Sequence, residues 1–175
     1  MKRVLIILAI IAAILLVGFF ALRSWTKSSS PETIAQFDQD GLSVKVDYCQ
    51  PYKKGRPIFG GLVPYGKVWR TGANEATVIE FGQNVNVAGK ALSAGHYSLW
   101  TIPTQNGWTA IFNREVGQWG TNYNEAEDVL RVPVTSQKHS PMAEQFTINF
   151  VPQVGGADML LVWDETEAIV PIRKQ

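Results

Sequence analysis

Two periods of hydrophobic position divide the chain. Residues 4–22, VLIILAIIAAILLVGFFAL, form an unbroken apolar run. As a helix rising about 1.5 Å per residue, that run reaches across the ~30 Å hydrocarbon core of a bilayer. Further on, the period drops to two. Leu42, Val44, Val46 and Tyr48 alternate with Ser43, Lys45 and Asp47, and Phe146, Ile148 and Phe150 alternate with Thr147 and Asn149. This alternation predicts strands with one buried face. Other strand segments read at 76–81, 84–88, 96–102, 108–113, 128–135, 158–163 and 166–172. Ala88-Gly89-Lys90, Gln105-Asn106-Gly107 and Gly155-Gly156 supply hairpin turns, and 124–128 suits one short turn of helix.

The elements predict an all-β domain over 37–175, a single antiparallel β-sandwich of jelly-roll-like or partly open barrel form. One N-terminal transmembrane helix over 1–22 precedes it, and the polar, Ser-rich stretch within 23–36 reads as a linker.

The apolar run reads as an uncleaved signal-anchor, with a cleaved secreted form as the alternative. It exceeds a signal-peptide core, and Phe19-Phe20-Ala21 offers no small-x-small cleavage site. Lys2 and Arg3 flank one end, Arg23 and Lys27 the other. The very short head favours a cytoplasmic N-terminus, and Trp25 suits the far interface. The domain is then extracytoplasmic, in the periplasm or on the cell surface, with residues 4–22 contacting lipid.

Composition narrows the chemistry. A net charge of +1 argues against a nucleic-acid binder, which needs a basic stripe. The single cysteine, Cys49, cannot form an internal disulfide and reads as a small buried hydrophobe. With only His96 and His139 and no metal-ligand spacing, no metal or other cofactor is expected. A nucleophile elbow and a phosphate-binding loop are also missing from the sequence.

Residues 51–75, PYKKGRPIFGGLVPYGKVWRTGANE, interrupt the alternation with five glycines, three prolines and five basic side chains. Gly and Pro at this density fix an irregular path, as functional loops and edge-covering loops both require. The strings GRPIFGGLVPYGKVWRTGANEATVIEF, VAGKALSAGHYSLWTIP, WTAIFN, QWG and DVLRV resemble a bacterial family known as domain of unknown function 2911, over roughly residues 37–172. The resemblance implies an exported, mostly β envelope domain without an assigned activity. His96 stands at a position not associated with a fixed residue of that family.

Arg70, Asn74 and Glu75 form the sharpest polar cluster, suited to holding an anion or a sugar hydroxyl. The structural alternative is an Arg70–Glu75 ion pair clamping the loop. Trp119 and Tyr123 suit stacking on a flat ligand, and Asp128 and Arg131 are expected to pair with Arg70 and Glu75, joining the loops 51–75 and 117–131. The binding candidates are therefore Arg70, Asn74, Glu75, Trp119, Tyr123 and Arg131. Three functions stay open: a domain binding a small molecule, glycan or envelope protein; a hydrolase-like enzyme using Glu75 with Asp128 or His96; and a structural envelope protein.

Overall fold

The computed structural model describes residues 2–175, except for the side chains at 5, 9 and 21–26, among which Trp25 falls. Helix α1 spans Lys2–Ser29. Its stretch Lys2–Phe20, with mean hydropathy 2.9, is long and apolar enough to cross a membrane, and none of it is buried against the domain. It fits a membrane anchor and equally a signal sequence.

The expected linker is helix followed by strand. Serine costs little in a helix, so α1 propagates through Ser28 and Ser29. It stops where Pro31 disfavours helical geometry at Ser30. Strand β1 (Glu32–Gln39) begins immediately, and only Phe37 among its residues is fully buried. Asp40 (φ 52°) and Gly41 (φ 74°) then turn the chain tightly into β2 (Leu42–Cys49).

The remaining strands are β3 (Thr77–Phe81), β4 (Val85–Val87), β5 (Lys90–Leu92), β6 (Gly95–Thr104), β7 (Gly107–Asn113), β8 (Asp128–Gln153) and β9 (Gly156–Lys174). They form one antiparallel sheet ordered β1-β2-β3-β6-β7-β8-β9-β4-β5. The sheet is open rather than a closed barrel. A 3-10 turn, Glu125–Glu127, precedes β8, and the Asn124 side chain caps it by accepting from the Ala126 N–H.

The segments read separately at 128–135 and 146–150 belong to one strand, β8, as 158–163 and 166–172 both belong to β9. β8 pairs with β7 up to Val134 and with β9 from Thr135 onward, and its register shifts between Lys138 and Thr147. Irregularities of this kind bend a strand. Ile79, Phe81, Leu99 and Phe112 of the early strands thus share one core with Phe146, Met159, Leu161 and Val170. Ring contacts Phe37–Phe150 (6.0 Å) and Tyr48–Phe146 (5.7 Å) cross between the two halves. The buried Tyr48 hydroxyl accepts from the Ile148 N–H at 2.9 Å, which keeps the Ile148 donor satisfied.

Neighbouring residues of one strand face opposite ways. Leu99 enters the main core, whereas Trp100 joins Ala76 and Ile111 in a smaller cluster that Ile102 and Tyr123 pack against.

Candidate functional site

The loop 51–75 is fastened down along its length. Ile58, Val63 and Trp69 are buried in the main core. Gly66 N–H donates to the Pro103 carbonyl at 2.9 Å, and Trp69 exchanges main-chain bonds with Thr101 at 2.7 and 2.9 Å. The Trp69 indole N–H donates to the Gly72 carbonyl at 3.2 Å. Thr71 is fully buried, its hydroxyl 3.1 Å from that of Thr101, while the Thr77 hydroxyl donates to the Thr71 carbonyl at 2.7 Å. Asn74 takes a left-handed φ of 60°, which Asn tolerates better than most residues.

This path brings the stretch 70–76 against 118–120. The Ala76 N–H donates to the Gln118 carbonyl (3.1 Å) and the Gly120 N–H to the Asn74 carbonyl (2.9 Å), with Glu75 and Trp119 forming a bridge. The two loops therefore meet through main chain. Gly120 is required by space: a Cβ there would stand 1.9 Å from Arg70 Cδ and 2.6 Å from the Asn74 carbonyl oxygen. The Arg70 stem lies directly across it.

Arg70 itself is half-buried. Its Nη1 donates to the Gly120 carbonyl over a long 3.5 Å, and its buried Nε has no hydrogen-bond partner. The expected ion pair with Glu75 does not form, and no described carboxylate pairs with Arg70. Burial pulls the Arg70 guanidinium below its ordinary pKa by removing water from the charged group, with Cys49 acting the other way.

Arg70 lines a cleft of about 390 Å³ together with Arg56, Trp69, Asn74 and Trp163, and Ser29 and Ser30 at the end of α1 complete the wall. Trp69 and Trp163 stack with centroids 5.8 Å apart and planes at 20°. The Trp163 indole N–H is buried without a partner. No described Asp, Glu, His or Cys lines this cleft.

Glu75 lies in a different groove, of about 570 Å³, with Glu32, Ile34, Asp47 and Cys49. One carboxylate oxygen each of Glu32 and Glu75 and the Cys49 sulfur lie within 4.8 Å of one another. Burial pushes the Cys49 thiol up, with the Asn74 amide, 3.6 Å from the sulfur, acting the other way. A protonated thiol is a poor metal ligand. Glu32 pairs with Lys27 at 2.6 Å.

Tyr123, Asp128 and Arg131 form a closed network of their own rather than reaching Arg70 and Glu75. Asp128 Oδ2 accepts from the Tyr123 hydroxyl (2.5 Å) and from Arg131 Nε (2.6 Å), and Asp128 Oδ1 accepts from the Asn113 amide (2.8 Å). Arg131 Nη2 also donates to the Tyr123 hydroxyl (2.7 Å) and pairs with Glu125 (2.9 Å). Burial, and then the bond to Asp128, push the Tyr123 phenol up to about 12. Trp119 stays 44% exposed. His96 pairs with Glu80 at 3.8 Å, and neither His96 nor Asp128 lines the groove that holds Glu75.

Three residues of these clefts escaped the sequence reading. Glu32 falls in the stretch read as a linker, and neither Arg56 nor Trp163 stands among the candidates that the sequence offers. A basic residue flanked by Gly and Pro was the one available signal, at Arg56. No curated protein and no solved structure matches this chain. The family model described as "Protein of unknown function (DUF2911)" matches residues 30–172, from the end of α1 almost to the end of β9, and the chain belongs to that family.

Proposed function

We propose that this protein is a membrane-anchored, extracytoplasmic binding domain without catalytic activity, holding a small ligand in the cleft between the loop 51–75 and the end of α1. One observation carries the reading. The cleft is floored by stacked aromatic rings and edged by Arg70 and Asn74, and no described acid–base pair stands in it. Ligand sites combine an apolar floor with a few convergent polar groups in this way. The exposed Trp119, on the loop fastened beside Arg70, offers a further surface for a glycan or an envelope protein.

A thermal-shift screen of glycans and metabolites on the full chain in nonionic detergent tests this. Asn74→Gly keeps the left-handed backbone and removes the amide. A ligand of this cleft raises the melting temperature of the wild type and does less for Asn74→Gly.

A second reading is favoured by the Glu32–Cys49–Glu75 cluster, where two carboxylates stand close enough to be bridged by a water. It makes Glu75 the centre of a hydrolase-like site, with Glu32 in the part assigned from sequence to Asp128 or His96. Under that reading Glu75→Gln abolishes the ligand response and Arg56→Gln, in the other cleft, leaves it intact.

A further inference from the structure

The cleft wall is unbalanced in charge. It carries two guanidinium groups, Arg56 and Arg70, and no described carboxylate. Arg56 lies at the exposed side, where its Nε donates to the Lys53 carbonyl at 2.9 Å and its Nη2 to the Tyr52 carbonyl at 2.5 Å. Lys53 next to it is already paired, with Asp164. The position of Arg56 is therefore fixed while its charge is not neutralised.

Two further donors are unused. Arg70 Nε and Trp163 Nε1 are buried, and neither has an acceptor. Trp163 is 1% exposed and lines the same cleft. A buried donor left unsatisfied is costly, more so when charged, so native proteins rarely keep two in one region without a use. Neither residue can supply the missing acceptor for the other, because guanidinium and indole N–H groups only donate.

From these observations we infer that the cleft binds an oxyanion, specifically a phosphate group carried on a small apolar or sugar body. The Arg70 and Arg56 guanidinium groups on the cleft wall supply the charge-assisted bonds and the two positive charges. Leu62, Val63 and the Trp69 ring leave an apolar wall for the rest of the ligand. Because Ser29 and Ser30 border the cleft, the phosphate can come from a lipid headgroup beside α1 or from a soluble phosphate ester. The inference rests on the cleft being the ligand site and adds the ligand's chemical class.

Isothermal titration of the full chain in nonionic detergent separates the cases. The probes are glycerol 3-phosphate against glycerol, and short-chain phosphatidylglycerol against short-chain phosphatidylcholine. Saturable binding of glycerol 3-phosphate but not glycerol supports the inference with a soluble source. Binding of phosphatidylglycerol alone supports it with a headgroup source. In either case Arg70→Gln weakens binding at least tenfold. Arg56→Gln, at an exposed position that does not threaten folding, weakens it several-fold. If no phosphate probe binds, or if both variants bind as the wild type does, the inference is overturned. A neutral ligand that still protects the wild type and loses its effect in Asn74→Gly would then leave the binding function standing with a different ligand class.

Discussion

Arg70, on the loop 51–75, and Arg131, at the start of β8, belong to one small domain and are treated in opposite ways. Arg131 reaches Asp128, Glu125 and the Tyr123 hydroxyl, and its bond to Asp128 raises its pKa above the ordinary value. Arg70 has one long bond to a carbonyl, a buried Nε with no acceptor and a pKa lowered by burial. The first is what a structural ion pair looks like, with every partner supplied by the chain. The second is an arginine held in place with no described acid paired to it. A polar cluster is therefore judged by what its groups still lack, more than by how many groups it contains.

The comparison breaks most severely at Gly120. Gly120→Val pushes a side chain into the Arg70 stem and the Asn74 carbonyl, and the carbonyl cannot move aside. We expect a loss of about 3 kcal/mol in urea unfolding, at the upper end of overpacking costs. Asp128→Ala comes next. It leaves the buried Asn113 amide with one acceptor fewer and Arg131 without its shortest partner. A loss of about 2 kcal/mol by the same measurement is expected.

Matched substitutions of the two arginines set them against each other directly. Arg131→Met should cost about 1 kcal/mol or less, as surface networks do. Arg70→Met, measured without added anion, should leave stability unchanged or raise it, because it removes a half-buried charge that lacks a counter-charge. A large loss from Arg70→Met would show that Arg70 is structural and would erase the contrast.

The smallest effect lies in alkaline solution. The Tyr123 phenol ionises near pH 10 in the unfolded chain and at about 12 in the fold. Because the folded value is higher, its stabilisation is whole below pH 10 and disappears as the pH rises toward 12. Tyr123→Phe should flatten part of the decline in melting temperature across that window. Tyr48 and Cys49, pushed up by burial, and Lys45, raised by its bond to Asp47, still contribute to the decline.

Period two made the sheet legible, since each strand that buries one face announces itself. β1 did not, because Phe37 is its only fully buried residue, although Asp40-Gly41 is a strong hairpin signal between it and β2. The continuity of β8 was hidden because its middle, exposed and irregular, lacks alternation. Composition misled at 23–29, where three serines suggested a linker but no proline or glycine stood to end the helix. At the site, Arg70, Asn74 and Trp119 could be named because they fall in an irregular, Gly-rich setting. Their partners could not. That Arg70 lies over Gly120 and not against Glu75 depends on pairings between distant stretches of chain, which local pattern does not encode.

The bent β8–β9 hairpin also has a temporal consequence. Strands β1–β7 are all synthesised by residue 113, but the core residues of β8 and β9, including Phe146, Met159, Leu161 and Trp163, come later. Tyr52 waits for Gln145, and Ala88 for Pro171. Contacts so distant in sequence close slowly, and a sheet whose apolar face is still uncovered lacks the burial that stabilises it. At ~5–20 residues per second the ribosome needs roughly ten to thirty-five seconds for the chain of 175 residues. Until β9 is made, the sheet lacks those core residues, so the domain completes its fold only as its last strand is synthesised.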